Sequence, residues 1–120
     1  MIVVADASPL RYLILIEHTH VLPGLYGRVL VPPAVISELT REQTPDIVQR
    51  WTAKPPDWVR VQGPTRELVG ADHSLGAGEL AVIALAEERS ADAVLIDERD
   101  GRREAQRRGL AVVGTLRVLG

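Results

Sequence analysis

Asp6 directly follows the apolar run Ile2–Ala5, and Asp97 directly follows the apolar run Ala93–Ile96. Both runs read as strands, and carboxylates at the carboxyl ends of two parallel strands face the crevice where α/β sheets bind ligands. Each acid could instead cap the helix after it. For Asp97 that alternative stands, because a helix begins at once; for Asp6 it is weaker, because Ser8 followed by Pro9 already makes a helix start. Glu79 opens a helix whose next seven residues, Leu80-Ala81-Val82-Ile83-Ala84-Leu85-Ala86, are apolar on every side and so read as buried all round. A carboxylate there either serves chemistry or complements the helix dipole, an effect of a few tenths to about 1 kcal/mol, and the two readings weigh equally. Glu38 falls on the flank of the stripe Val35, Ile36 and Leu39; by itself it is an ordinary solvated position.

Gathering carboxylates is unfavourable, because they repel one another and lose solvent. A compensating cation is required, and oxygen donors without His or Cys favour Mg²⁺ or Mn²⁺ over zinc. Such ions hydrolyse phosphodiesters by activating a water and neutralising charge on phosphate, with no covalent enzyme intermediate.

The elements that would position these acids alternate between β-branched runs and helical patterns. This argues for an α/β fold with a parallel sheet flanked by helices. Ile2–Ala5 is a first strand, Leu10–Glu17 a helix after the Ser8 cap, Arg28–Val31 a second strand, and Ala34–Thr40 a short helix after Pro32-Pro33. A weaker helix spans Thr44–Ala53, and Trp58–Val61 reads as an edge strand. Gln62–Ser74 reads as loop with one helical turn at Thr65–Val69. Then come a helix at Gly78–Arg89, a strand at Ala93–Ile96, a polar helix at Glu98–Arg108 with Gly109 at its C-terminal cap, and a last strand at Leu110–Val113. The chain ends at Val118-Leu119-Gly120, so the expectation is one domain over residues 1–120 that lacks a covering C-terminal helix or helices.

Composition narrows the classes. One hundred and twenty residues suit a single domain, and 46% hydrophobic with 25% charged residues is a globular balance. No cysteine is present, which excludes disulfides, zinc thiolates and a cysteine nucleophile. No apolar run is long enough to span a membrane and no secretory signal opens the chain, so the expected location is the cytoplasm. The net charge of −2 provides no global attraction for nucleic acid, so binding would need local cations or a metal bridge. The single lysine, Lys54, sits in a Pro-flanked loop, which removes a P-loop and a receiver. A haloacid-dehalogenase-like phosphatase would want an Asp where Ser8 stands.

Val4-Ala5-Asp6-Ala7-Ser8-Pro9-Leu10, Val31-Pro32-Pro33-Ala34-Val35-Ile36-Ser37-Glu38-Leu39, Leu75-Gly76-Ala77-Gly78-Glu79-Leu80-Ala81 and Ile96-Asp97-Glu98-Arg99-Asp100-Gly101-Arg102 resemble, in order, the acidic motifs of PIN domains, in the branch related to VapC-type toxins. Gly109-Leu110 and Val113-Gly114-Thr115-Leu116 are similar to that family's final strand region. The resemblance implies a PIN-like three-layer domain with a central parallel sheet of about five strands, and a metal-dependent ribonuclease acting on RNA. It also implies homodimers and an antitoxin protein as partner in a toxin–antitoxin pair. Carried over by position, the acidic set is Asp6, Glu38, Glu79 and Asp97, with Ser8 as a polar helper near the metal. Many relatives end the fourth strand in Thr or Ser and place the acid two residues later. Here those positions are Asp97 and Arg99, so Asp100 shares or takes the fourth role among the metal ligands Asp6, Glu79 and Asp97. Relatives also continue past the last strand into a further helix.

Arg99, Arg102 and Arg103 lead a basic run that includes Arg107 and Arg108. Glu98–Arg102 and Glu104–Arg108 would pair at i,i+4 on a solvated helix, and RNA-phosphate contact is the alternative. His18 and His20 read as solvated, His73 as a loop residue, and Trp51 and Trp58 as packing residues. The rival to a nuclease is a catalytically silent PIN-like module that binds a protein partner or RNA.

Overall fold

Val3, Val4 and Ala5 are inaccessible to solvent on consecutive positions, as are Val29 to Val31 and Val94 to Ile96. Side chains of a strand alternate between faces, so such runs are stable only where both faces of the sheet are covered. In the computed structural model, which describes residues 1–41, 43–71 and 74–120, that covered sheet has five strands, all parallel. They are β1 (Ile2–Ala5), β2 (Arg28–Val31), β3 (Val59–Val61), β4 (Ala93–Leu95) and β5 (Val112–Val113), in the order β3-β2-β1-β4-β5. The helices are α1 (Ala7–Leu15), α2 (Val21–Tyr26), α3 (Pro33–Leu39), α4 (Asp46–Ala53), α5 (Ala77–Arg89), α6 (Arg99–Arg107) and α7 (Thr115–Leu119). The architecture is that of a PIN-like three-layer α/β domain.

Chain order runs outward from β1 to β3, then jumps back to β4 on the other side of β1. Right-handed crossovers put α1 on one face and α5 and α6 on the other, while α3 packs directly on α5. The reversal makes the carboxyl ends of β1 and β4 the topological switch point of the sheet. Ala5 pairs with Leu95 there, and the Asp6 N–H donates to the Leu95 carbonyl at 3.0 Å.

Several boundaries differ from the sequence expectation. Helix α1 begins at Ala7, with Asp6 rather than Ser8 at its N-cap; Asp6 is extended there and its side chain makes no capping bond. The strand ends so close to the helix that the turn is made at Asp6, which leaves Ser8 exposed in the first turn. Helix α2 departs from expectation, because Val21-Leu22-Pro23-Gly24 is a poor helix sequence; burial of Leu22 against the β2 side overrides propensity. Thr65–Val69 is not helical. Its chain is held instead by Glu88, which accepts from the Thr65 and Arg66 N–H groups and from the Thr65 hydroxyl. The last residues form α7, one short helix packed on α1 and α2. His73 lies outside the described residues.

Candidate metal centre

Helix α5 is buried from Val82 through Ala86, as its apolar run requires, although Leu80 and Ala81 at its start are only half-buried. Its first turn enters the switch point. Helix α3 packs against α5 and brings Glu38 with it. Gly78 is where these elements meet: a β-carbon there would run into Glu38 Oε1 and come within 3.5 Å of Asp6 Oδ1. Only a residue without a side chain admits both carboxylates. Gly101 of α6 plays the same part for Glu79, whose Oε2 would lie 2.6 Å from a β-carbon at that position.

The structure therefore brings Asp6, Glu38 and Glu79 together around the start of α5. Asp6 is 4% exposed, and its Oδ1 has no hydrogen-bond partner. Burial pushes its carboxyl up to about 6, against the Ala7 N–H, and the negative charges of Glu38, Glu98 and Asp97 push the same way. Glu79 Oε1 accepts from the Gly76 N–H at 3.0 Å, so this acid does return to its own helix start. Its other oxygen, Oε2, is buried and unpartnered. Burial raises the Glu79 carboxyl, and Glu98 raises it further.

Glu98 is an acid that sequence reasoning misses. An i,i+4 pair with Arg102 is its expected role, but no such pair forms. Glu98 is the N-cap of α6 and its Oε2 accepts from the Gly101 N–H at 2.9 Å, which holds its carboxyl below the usual range. Arg102 instead donates to the Ile96 carbonyl at 3.0 Å. The neighbouring Glu98 carboxylate favours the protonated form of Glu79, since two anions have no donor between them. An acid immediately after Asp97 and three residues before a glycine in a helix start is the signal that could have found it.

Asp97 stands at the end of β4, exposed on one side and bound on the other by Thr115. The Thr115 N–H donates to Oδ1 at 2.8 Å and the hydroxyl to Oδ2. Asp97 acts on Asp6 through its charge. Asp100 is exposed in the first turn of α6, and its side chain makes no hydrogen bond or ion pair among the described residues. Ser8 is exposed beside Asp6 and also makes none. Trp51 and Trp58 pack edge-on with centroids 6.5 Å apart, and His18 and His20 are exposed away from these acids.

Among the described residues, no three of these groups already surround one point at ligating distance. The donor chemistry nonetheless fits a hard divalent cation: all donors are carboxylate oxygens, two of them are buried without partners, and burial, then mutual repulsion, raises the proton affinity of Asp6 and Glu79. Asp6, Glu79 and Asp97 are the residues that would hold such an ion, with Glu38 and Glu98 beside them.

A five-stranded parallel sheet with carboxylates gathered at its switch point defines the class, a PIN-like α/β domain. The family model described as "DUF3368: PIN domain" matches residues 2–120, and the chain belongs to that family of PIN domains. PIN domains are generally nucleases and typically use divalent metals. Among solved structures, the chain is similar to a PilT N-terminus domain protein, SSO1118, from the hyperthermophilic archaeon Sulfolobus solfataricus P2. The TM-score is 0.63 and the identity 16%, over 99% of this chain and 91% of that one, a likeness of fold. No curated protein matches the chain. Among the described residues, no helix is long and apolar enough to cross a membrane.

Proposed function

We propose that this PIN domain is a metal-dependent endoribonuclease that hydrolyses RNA phosphodiesters at Asp6, Glu38, Glu79 and Asp97. The observation that carries the reading is the pair of buried, unpartnered carboxylate oxygens, Asp6 Oδ1 and Glu79 Oε2, crowded by further acids and shaped by two side-chain-free positions, Gly78 and Gly101. A protein has no structural reason to bury uncompensated anions together; a cation-binding function supplies one.

When bound, Mg²⁺ or Mn²⁺ would supply an acidified water and neutralise charge on the phosphate. The residues do the rest. Thr115 fixes the Asp97 carboxylate, and Gly76 fixes one oxygen of Glu79. Burial and the nearby Glu98 raise the Glu79 carboxyl, so a cation held there would compete with a proton and would load more strongly as pH rises. Half-buried Glu38 stands against Asp6 at Gly78 and would accept a proton from a water there.

The test is cleavage of labelled RNA by the full chain with Mn²⁺, Mg²⁺ or EDTA, alongside Asp6→Asn. Cleavage that needs the metal and is abolished by Asp6→Asn is expected. Absence of cleavage with either ion, or indifference to Asp6→Asn, sinks the proposal and leaves the silent binding module. The four motif resemblances further support a cytoplasmic, homodimeric toxin restrained by an antitoxin protein. Induced expression should then arrest bacterial growth with loss of RNA, and Asp6→Asn should not.

A further inference from the structure

The arginines of α6 divide into two groups. Arg107 and Arg108 are neutralised: Arg107 Nη2 lies 2.5 Å from Glu104, Arg108 Nε 2.6 Å from Glu104, and Arg108 Nη1 3.1 Å from Glu87. Both also donate to carbonyls of the connection between β3 and α5, at Gly70 and Val69. Arg99, Arg102 and Arg103 form no ion pair among the described residues. Positions 99, 102, 103 and 106 recur at i, i+3, i+4 and i+7, which is one helix face. That face, with Asp97, lines an open depression of about 430 Å³.

This depression differs in chemistry from the acid cluster beside it. Three arginines and a glutamine line it beside one acid, in a chain whose net charge is −2. Arg102 is half-buried, and its bond to the Ile96 carbonyl holds the guanidinium in place while other N–H groups stay free. A guanidinium held in that way binds a phosphate with little ordering cost and in a two-pronged geometry. Asp97 also lines it, and its charge acts on Asp6. A polyanion seated on the arginines thus lies next to the carboxylates.

We propose that Arg99, Arg102, Arg103 and Gln106 form a phosphate-binding subsite for the backbone of a single-stranded nucleic acid, holding a phosphate adjacent to the one at the acid cluster. The inference builds on the nuclease reading, yet its contacts are made without a metal and can be read separately from cleavage. Backbone contacts of this kind carry no base information.

The experiment is fluorescence anisotropy of a short, uncleavable 2′-O-methyl oligoribonucleotide titrated with the full chain in EDTA, at a series of salt concentrations. Arg99→Ala/Arg103→Ala should bind about tenfold more weakly at low salt. Its salt dependence should be shallower, by about 0.7 for each phosphate no longer neutralised. Arg28→Ala should bind as the parent does, because Arg28 is exposed at the amino end of β2, the opposite pole of the sheet. Unchanged urea midpoints confirm that the variants fold. Failure of the parent to bind, equal binding by the double variant, or an equal loss in Arg28→Ala overturns the subsite. Arginine-dependent binding without any metal-dependent cleavage upholds it and removes the nuclease reading instead.

Discussion

Thr115 grips Asp97 with two donors, its backbone N–H on Oδ1 and its hydroxyl on Oδ2. The pairing joins the start of α7 to the end of β4 across 18 residues of sequence. It satisfies one side of a carboxylate whose other side is exposed, and so sets the direction in which Asp97 can ligate. Hydrogen bonds to a charged group contribute about 1.5–3 kcal/mol, so this is more than a loop tether.

Thr115→Val removes the hydroxyl bond and keeps the shape. Stability should fall by about 1–3 kcal/mol in urea unfolding, and Mn²⁺ should bind more weakly by calorimetry. Thr115→Ser should restore both. If Val and Ser behave alike, the hydroxyl does not position Asp97.

Asp6 makes stability depend on pH in an unusual direction. Its carboxyl is raised from 3.8 to about 6 in the fold, so between those values the folded state holds more protons than the unfolded chain. Its contribution favours folding below about pH 4 and is lost as pH rises through about 6. In EDTA, Asp6→Asn should therefore be the more stable protein at pH 7 to 8, by up to about 3 kcal/mol. The two unfolding curves should converge near pH 4. A variant less stable than the parent at pH 8 would show that the ionised carboxylate is compensated within the protein.

Added Mn²⁺ should reverse that order at neutral pH. A ligand at about a thousand times its dissociation constant stabilises by about 4.1 kcal/mol, more than the deficit of the metal-free parent, and thermal unfolding reads it as a clear rise in Tm. Asp6→Asn and Glu79→Gln should each abolish the rise. An equal rise in all three proteins would place the cation elsewhere.

Gly101→Ala separates folding from site formation. Alanine favours the helix by about 1 kcal/mol, but its β-carbon would lie 2.6 Å from Glu79 Oε2 and displace that side chain. The expected protein is folded by circular dichroism, with no Mn²⁺-dependent rise in Tm. A retained rise would show that Glu79 does not need this position to ligate.

The alternation of apolar runs and helical patterns is enough to give the strands, the order of most helices and the sheet's parallel character, because period and burial are local properties of the chain. Arg28–Val31 forms a strand with the boundaries read from sequence, and Gly109 adopts the positive φ (80°) expected after a helix end. The firmest site residues are those whose neighbours in sequence already tell their position: Asp6 beyond a buried strand, and Glu79 at the head of a buried helix. The rest depend on distance through space. Glu38 is unremarkable until α3 packs on α5 at Gly78, and Glu98 looks like half of a solvated pair until the Gly101 N–H claims it. Helix α2 is held by packing that its own propensity would not predict, and Thr115 meets Asp97 only because β4 and β5 lie side by side. Sequence alone determined which carboxylates stand at strand and helix ends, since those positions follow from local pattern. Only tertiary structure decided which of them share one pocket and which arginines stay clear of acidic partners, since charges separated along the chain interact only where packing brings them within reach of one another.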